Sequence, residues 1–316
     1  MSWNLLAGIY GGVAGARNAL YDRGWSRAGR LQGAVISVGN LSAGGSGKTP
    51  FVILLGELLK ERGIRFDVLS RGYGRKTRGV LLVDPGGLPR DFGDEPLLIA
   101  RRSQVPVVVG EDRYEAGRFA ETRFGEQIHL LDDGFQHRGL GRDFDIVLVT
   151  PEDARDRLLP AGRLREPLQS LRRADAVVLA SGASPESFPV GDKMVWRVRR
   201  GIVTEGVPVR PVVFCGIARP QKFLLQLRTA GVDPVAEAFY RDHHAYTEKD
   251  VHDLLQLQRR SEAGGFVTTE KDAVNLGGYL VALKPLAVVA VKMELADAAN
   301  AVDTMLRVIE GRRRRS

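Results

Sequence analysis

One short segment constrains the fold of this chain more than any other: the glycine-rich loop Ser42–Thr49, SAGGSGKT. The loop follows Ala34–Val38, an apolar and β-branched run typical of a buried strand. It precedes Pro50–Arg62, whose apolar residues recur at helical spacing. Strand, loop and helix in this order predict backbone N–H groups that point inward at phosphate oxygens, with the positive end of the helix dipole behind them.

The loop residues have separate expected roles in holding a nucleoside triphosphate and Mg²⁺. Lys48 is expected to reach the β- and γ-phosphates, and the hydroxyl of Thr49 is expected to hold the metal ion. Ser42 stands where the general motif G-x-x-x-x-G-K-[ST] has its first glycine. The alternative is a glycine-rich turn with a solvated lysine, which the flanking strand and helix disfavour. The predicted ATP-binding residues are Ser42, Ala43, Gly44, Gly45, Ser46, Gly47, Lys48 and Thr49.

The order of apolar segments predicts an α/β protein with two domains. Between residues 31 and 192, short β-type runs alternate with helical segments, which favours a P-loop NTPase-type parallel sheet covered by helices on both faces. Residues 193–209 alternate apolar and polar side chains around a glycine, so we predict a β-hairpin, a β-ribbon linker between domains. Residues 210–316 repeat strands and helices and end in a helix over Ala296–Glu310, which predicts a smaller C-terminal α/β domain.

Charge and cysteine content narrow the classes of partner and site. The chain has 46 Lys and Arg against 38 Asp and Glu, a formal net charge of +8, which favours nucleic acid, acidic lipid or a phosphorylated substrate as partner. It contains no recognisable nucleic-acid-binding module and only 7% aromatic residues, so nucleic acid is not an expected partner. Because Cys215 is the single cysteine, an internal disulfide and a cysteine-based zinc site are both excluded.

Residues 1–30 form a segment of their own. Apolar residues recur there at spacings of three and four, as on one face of a helix, and arginines follow them. The apolar run is too short, and Arg17 comes too early, for a spanning helix of about 20 apolar residues. We expect an amphipathic helix at an anionic membrane surface; the alternative is a helix packed against the protein's own core. The apolar residues are Trp3, Leu5, Leu6, Ile9, Tyr10, Val13, Leu20 and Tyr21.

Carboxylates and histidines occur in three further clusters. Asp132 and Asp133 end an apolar strand, where a P-loop protein places its magnesium-binding carboxylate, although two acids before a glycine also suit a turn. Asp94 lies in Gly93–Pro96 (GDEP), either as a reactive carboxylate or as the cap of the following helix. Asp242–His244 (DHH) suits a base with an orienting partner, or a surface turn.

Taken together, the motifs along the chain resemble one family. In chain order they are VGNLSAGGSGKTP (Val38–Pro50), SRGYGR (Ser70–Arg75), GDEP (Gly93–Pro96), LLDDGFQH (Leu130–His137), LLPAGRLREP (Leu158–Pro167), DHH (Asp242–His244) and TTEKD (Thr268–Asp272). From about residue 1 to 272, this series closely resembles the tetraacyldisaccharide 4'-kinases, the lipid A kinases of Gram-negative bacteria. The family shares the serine at position 42, and the N-terminal segment is similar to its membrane-docking helix.

The resemblance implies an activity and a location. The enzyme would use ATP and Mg²⁺ to phosphorylate the 4'-hydroxyl of tetraacyldisaccharide 1-phosphate, an acylated glucosamine disaccharide 1-phosphate. The product would be lipid IVA, an intermediate of lipid A biosynthesis. The protein would be a two-domain monomer, bound peripherally to the cytoplasmic face of the bacterial inner membrane.

The resemblance also implies roles for individual residues. Asp94 would take the proton of the sugar hydroxyl, and His243 would orient it, with His244 as the alternative. Lys48 would neutralise the ATP phosphates during transfer. The implied metal site is Thr49, Asp132 and Asp133. The remaining implied active-site positions are Glu95, Arg71, Tyr73, Arg113 and His244.

Two other functional classes are compatible with a phosphate loop. A P-loop GTPase or ATPase that acts as a switch or metallochaperone would usually carry a guanine-reading N-K-x-D motif. The most similar segment, Thr269–Asp272 (TEKD), has glutamate in the place of asparagine. A nucleic-acid-binding ATPase is suggested only by the basic net charge.

Overall fold

The apolar runs of the sequence become the strands of a single twelve-stranded sheet. A computed structural model describes residues 3–23, 25, 28–125 and 128–315. The N-terminal elements are α1 (Trp3–Asp22), β1 (Val35–Asn40), α2 (Lys48–Glu61), β2 (Phe66–Ser70), β3 (Leu81–Leu82), α3 (Pro89–Phe92), α4 (Asp94–Ser103), β4 (Val107–Val109), α5 (Arg113–Phe124), β5 (Ile128–Asp132), β6 (Phe144–Val149) and β7 (Ala176–Leu179). The later elements are β8 (Met194–Val203), β9 (Val212–Cys215), α6 (Pro220–Thr229), β10 (Ala236–Phe239), α7 (Glu248–Arg260), β11 (Phe266–Thr269), α8 (Glu270–Leu276), β12 (Leu286–Leu295) and α9 (Ala298–Arg313).

The strand order is β10-β9-β11-β12-β8-β7-β6-β1-β5-β2-β4-β3. Neighbouring strands are parallel except at β3–β4 and at β8–β12. The sheet therefore has two parallel portions: an N-terminal portion around β1 and a C-terminal portion of β9, β10 and β11 with the start of β12. Apolar side chains of successive residues alternate between clusters on the two faces, and helices cover both faces, as predicted.

The register of β8 and β12 determines how the two portions face each other. Residues 194–197 of β8 pair with β7, and residues 198–203 continue beyond the carboxyl end of β7 to pair with β12. Residues 286–289 of β12 pair with β11, and residues 290–295 continue beyond the carboxyl end of β11. We call the paired segments 198–203 and 290–295 the ribbon. Because the ribbon extends from the carboxyl ends of both portions, those ends face each other.

Two sequence-based expectations about domain organisation need correction. Residues 193–209 do not form a local hairpin, because β8 is one strand whose antiparallel partner, β12, comes from much later in the chain. Their alternating pattern is that of a strand in the ribbon. The expected C-terminal domain of residues 210–316 also needs correction. Its terminal helix, α9, packs on the N-terminal portion instead. Its buried residues Ala301, Val302, Met305 and Ile309 belong to the same core cluster as Ile36 and Phe51.

The predicted N-terminal helix is present as α1, which packs on the protein and also exposes several apolar residues. One side packs on the protein: Asn18 donates a hydrogen bond to Glu166 (2.7 Å), and Arg138 donates one to the backbone oxygen of Asn18 (2.8 Å). Large apolar side chains of the helix are also exposed, namely Trp3, Leu5, Ile9, Val13 and Leu20. Among the residues that the structure describes, no helix is both long and apolar enough to cross a membrane.

A buried ion pair joins two neighbouring strands of the N-terminal portion. His129 of β5 and Asp67 of β2 are partners in the parallel register, and both are fully buried. His129 Nδ1 lies 2.9 Å from each carboxylate oxygen of Asp67. Burial alone would lower the pKa of His129, but the hydrogen bond and charge of Asp67 raise it above the ordinary value of 6.5.

We predict that His129→Ala lowers the free energy of unfolding by about 3–5 kcal/mol, because it removes the partner of a buried charge. Since the pKa of His129 is raised in the folded state, the pair's contribution is complete below about pH 6.5 and declines as the pH rises through the folded value. Urea unfolding at about pH 6 and about pH 9 measures this difference. The matched control is the exposed His252→Ala, and an equal loss at both pH values would contradict the prediction.

Candidate active site

A cavity of about 920 Å³ lies between the carboxyl ends of the two sheet portions. Ligands of open α/β sheets bind outside the carboxyl ends of the strands, so the ribbon register places two such edges around one space. The N-terminal portion contributes lining residues that include Ala43, Gly44, Gly45, Ser46, Gly47, Lys48, Thr49, Arg71, Tyr73, Glu95, Arg113, Asp132 and Asp133. The C-terminal portion contributes lining residues that include Ile217, Ala218, Arg219, Asp242, His243 and Lys271.

The phosphate loop connects β1 to α2 as predicted. Gly44, Gly45 and Gly47 have φ angles of 70°, 68° and 88°, in the left-handed region that glycine adopts most readily. Of the eight predicted loop residues, Ser42 alone is absent from the cavity lining, because it is fully buried below the loop.

Asn40, the last residue of β1, supports the loop from below. Its Nδ2 donates hydrogen bonds to the backbone oxygen of Ser42 (2.6 Å) and to Ser46 Oγ (2.7 Å). Its Oδ1 accepts a hydrogen bond from Lys48 Nζ (3.1 Å). The side chain of Asn40 therefore holds both the loop and its lysine in position. Sequence reasoning did not single out Asn40, since an asparagine at a strand end carries no distinctive signal.

Two cations hold Asp133 in its ionised form. Arg165 donates hydrogen bonds to both carboxylate oxygens of Asp133 (2.8 and 2.7 Å), and Lys48 Nζ lies 3.5 Å from Oδ1. Burial alone would raise the pKa of Asp133, but Lys48 and Arg165 lower it well below the ordinary range. Arg165 lies within the motif LLPAGRLREP, so the sequence marked its position but not its role.

Asp132 has the opposite electrostatic environment. Burial, followed by the charges of Glu95 and Asp133, raises its pKa above the ordinary value. Ser70 Oγ donates a hydrogen bond to Oδ2 (3.1 Å), while Oδ1 is buried without a hydrogen-bond partner among the described residues. A divalent cation would relieve both the unpaired oxygen and the repulsion between the carboxylates.

The residues present fit Mg²⁺ in particular. Thr49 and Asp132 both line the cavity, and each offers an oxygen donor. The described part of the chain has no group of three or more His, Cys, Asp and Glu able to hold a metal. Mg²⁺ does not need one, because it usually binds through one or two carboxylates together with substrate phosphates and water.

Asp94 and His243 form a hydrogen-bonded pair across the two sheet portions. Asp94 is the first residue of α4, and its Oδ1 accepts a hydrogen bond from the backbone N–H of Glu95 (2.9 Å). His243 Nδ1 lies 3.0 Å from Asp94 Oδ1 and 2.9 Å from Oδ2. Asn275 adds a third donor from α8, to Oδ2 at 3.1 Å. His243 lines the cavity, and the buried Asp94 lies behind it.

The pair's electrostatics keep Asp94 ionised. Burial alone would raise the pKa of Asp94, but the hydrogen bond from His243 and the charge of Lys271 hold it below its usual value. Burial alone would lower the pKa of His243, but the hydrogen bond and charge of Asp94 raise it. Lys271 Nζ lies 3.2 Å from His243 Nε2 and 3.2 Å from Asp242 Oδ1. Lys271 lies in the motif TTEKD (Thr268–Asp272), but the sequence did not predict its contacts with His243 and Asp242.

The two histidines of the DHH motif have different surroundings. His244 Nε2 lies 3.1 Å from Asp250 Oδ2, and its ring stacks on Tyr240 at 4.6 Å. It is absent from the cavity lining. His243 is therefore the partner of Asp94, and the contacts of His244 hold the start of α7. An active-site role for His244 stays a prediction.

The remaining predicted residues lie around the same cavity. The Tyr73 ring lies 5.2 Å from that of His243, and Glu95 Oε1 lies 3.5 Å from Lys271 Nζ. Arg113 donates hydrogen bonds to the backbone oxygens of Gly110 and Glu111. Burial, followed by the charge of Arg71, lowers the pKa of Arg113 to about 10.

We predict that Asp94→Asn lowers the pKa of His243, because the amide removes the carboxylate that opposes burial and Lys271. The negative charge of Asp242 remains in the variant. NMR titration of the histidine Cε1–H signals measures the pKa directly, and the exposed His252 serves as the internal reference. An unchanged pKa for His243 would contradict the assigned pairing.

The comparisons with known proteins agree in one family. A family model described as Tetraacyldisaccharide-1-P 4'-kinase (LpxK) matches residues 2–310. The tetraacyldisaccharide 4'-kinase of Koribacter versatilis is 50% identical over 319 residues, which cover 98% of this chain and 99% of that protein. The protein of the same name from Chlorobaculum tepidum is 40% identical over 294 residues, 84% of this chain and 83% of the relative.

A solved structure has the same fold. It is the crystal structure of the "apo" form of LpxK from Aquifex aeolicus in complex with ATP, at 2.2 Å resolution. The two chains superpose with a TM-score of 0.78 at 33% identity, over 96% of this chain and 97% of the other. Because the family model and these relatives span most of the chain, it belongs to the tetraacyldisaccharide-1-P 4'-kinase family.

Proposed function

We propose that this kinase transfers the γ-phosphate of ATP to the 4'-hydroxyl of tetraacyldisaccharide 1-phosphate, with Mg²⁺, at the cytoplasmic surface of the inner membrane. One observation carries the catalytic part of the proposal. The ionised Asp94 is paired with His243, and His243 lines the same cavity as the phosphate loop with Lys48. A phosphate donor and a base that accepts a hydroxyl proton are the components that phosphoryl transfer to an alcohol needs.

The phosphate-binding side is argued from charge and hydrogen bonding. The loop N–H groups and the start of α2 bind the phosphates, and Lys48 neutralises their developing charge. Thr49 and Asp132 would hold Mg²⁺, whose contribution is to neutralise and align the phosphates. Asp133 is already bound by Arg165 and Lys48, so we assign it a supporting role next to the metal site. Its carboxylate holds Lys48 in place beside the metal.

The acceptor side is argued from the Asp94–His243 pair. Asp94 supplies the base, because its lowered pKa keeps the carboxylate ionised at neutral pH. His243 lines the cavity and is joined to that carboxylate by its Nδ1 hydrogen bond, so the pair as a unit would accept the hydroxyl proton, with His243 on the cavity side and Asp94 behind it. The two residues come from different sheet portions, so the base is complete only when the portions are in contact. Glu95, Arg71, Tyr73 and Arg113 line the rest of the proposed active site.

The helix α1 supports a peripheral contact with an anionic membrane. Val13 and Ile9 are 66% and 52% exposed on its outer side, where an apolar residue gains from burial in the lipid interface. Arg17 of the same helix lines the cavity, so the apolar surface borders the active site. A lipid substrate could therefore stay in the membrane while its sugar enters the cavity of a monomeric enzyme.

The direct test incubates the purified protein with γ-labelled ATP, Mg²⁺ and tetraacyldisaccharide 1-phosphate in detergent. The expected product is labelled lipid, separated by thin-layer chromatography. Release of labelled inorganic phosphate without labelled lipid would reject the kinase proposal in favour of an ATPase.

We predict that Asp94→Asn and His243→Ala each lower kcat by about 10²- to 10⁴-fold, the range typical of a lost general base. The matched control is His244→Ala, which removes the neighbouring histidine and leaves the Asp94 pair intact. We expect its kcat to stay within a few-fold of the wild type. Equal losses in the two histidine variants would contradict the assignment of His243.

We also predict that Val13→Glu weakens binding to vesicles of anionic phospholipid by at least about tenfold, because it replaces an apolar side chain with a charge of the same sign as the lipid. The matched control is Val281→Glu, since Val281 is similarly exposed (71%, against 66% for Val13) but lies far along the chain from α1. Co-sedimentation measures both. Similar binding of the two variants would argue against α1 as the membrane contact.

A further inference from the structure

The loop after β9 covers the phosphate loop at very short range. A Cβ atom added at Gly45 would lie 2.9 Å from Arg219 Nε, and one added at Gly44 would lie 3.1 Å from Ala218 Cβ. The glycines therefore serve a second purpose besides their backbone angles: they admit the Arg219 side chain of the C-terminal portion directly onto the loop.

The guanidinium of Arg219 is incompletely paired in this position. Its Nη1 donates one hydrogen bond, to Glu152 Oε2 at 3.2 Å. Its Nε and Nη2 are buried with no hydrogen-bond partner among the described residues, and the side chain is only 12% exposed. Native structures rarely leave buried charged donors unpaired, so these two donor nitrogens indicate an acceptor in the cavity.

The local charges indicate that the acceptor is an anion. Glu152 is the one carboxylate that contacts Arg219 among the described residues, and it is shared with Lys222. Lys48 and Arg165, the cations on the other side of the loop, both contact Asp133. Arg219 is thus a cation beside the loop that shares its one carboxylate partner with a second cation. A planar guanidinium with free N–H groups matches the geometry of phosphate oxygens.

We propose that Arg219 binds the phosphate chain of ATP beyond the α-phosphate, so that the C-terminal portion completes the nucleotide site. The inference rests on the proposed function. The phosphate loop supplies backbone N–H groups and Lys48 from one side, and Arg219 supplies the donor nitrogens Nε and Nη2 from the other. The competing explanation is a structural ion pair, in which Arg219 serves only to hold Glu152.

Binding of ATP, ADP and AMP, measured by calorimetry, separates the two explanations. We expect Arg219→Ala to raise the Kd of ATP and ADP by about tenfold to a hundredfold, the usual effect of losing hydrogen bonds to a charged group. The Kd of AMP should not change, because AMP lacks the phosphates that Arg219 binds. Arg219→Lys should give an intermediate loss, since it keeps the charge but not the planar donor pair.

Two control variants complete the design. Arg228→Ala removes an exposed arginine of α6 that pairs with Glu237, and it should bind all three nucleotides as the wild type does. Glu152→Gln removes the charge partner of Arg219. It should leave the Kd of ATP within about twofold of the wild-type value, a much smaller change than the tenfold or greater loss expected for Arg219→Ala. If Glu152→Gln weakens ATP binding as much as Arg219→Ala does, the structural ion pair is the correct explanation.

The remaining outcomes are also decisive. The role of Arg219 is overturned if Arg219→Ala binds ATP as tightly as the wild type does, or if it loses affinity for ATP and AMP equally. The kinase proposal would survive either result, provided that the wild type labels the lipid. A wild type that neither binds ATP nor labels the lipid overturns both proposals. Thermal melting of each variant shows whether a lost affinity reflects a lost fold.

Discussion

The antiparallel register between β8 and β12 is the constraint on which the rest of the structure depends. Because residues 198–203 and 290–295 extend past the carboxyl ends of β7 and β11, both sheet portions present their carboxyl ends to one cavity. A sheet edge of this kind is where α/β proteins bind ligands. One edge supplies the phosphate loop and the other supplies His243, so the register brings the two halves of the chemistry together.

Much of the active site could be predicted from the sequence because its signals are local. The phosphate loop lies between a strand and a helix within a few residues, and Asp132 ends an apolar strand, so periodicity and motif spacing locate both. For Asp94 and His243 the local pattern left a helix cap or a surface turn as alternatives, and the family resemblance implied their roles. The structure pairs His243, the residue chosen from the sequence, with Asp94, whereas His244 contacts Asp250, because neighbouring residues in a turn point in different directions.

Other features could not be predicted because they depend on long-range pairing. The alternating pattern of residues 193–209 marks a strand, but no local signal shows that its partner lies about ninety residues later, at 290–295. The contacts of Arg165, Asn275 and Arg219 likewise join segments that are far apart in sequence. The apolar spacing of α9 predicted a helix correctly, whereas its packing partner depended on the direction in which β12 leaves the ribbon.

The packing of α9 has a consequence for the order in which the chain can fold during synthesis. The C-terminal portion is topologically an insertion, since the chain leaves the N-terminal portion through β8 and returns to it through β12. Val302, Met305 and Ile309 then cover apolar surface of a body whose first strand begins at Val35. While a ribosome still holds those residues, that surface stays open, so the nucleotide-binding body becomes complete only when the last helix emerges. Premature termination within α9 would thus damage the part of the protein that was made first.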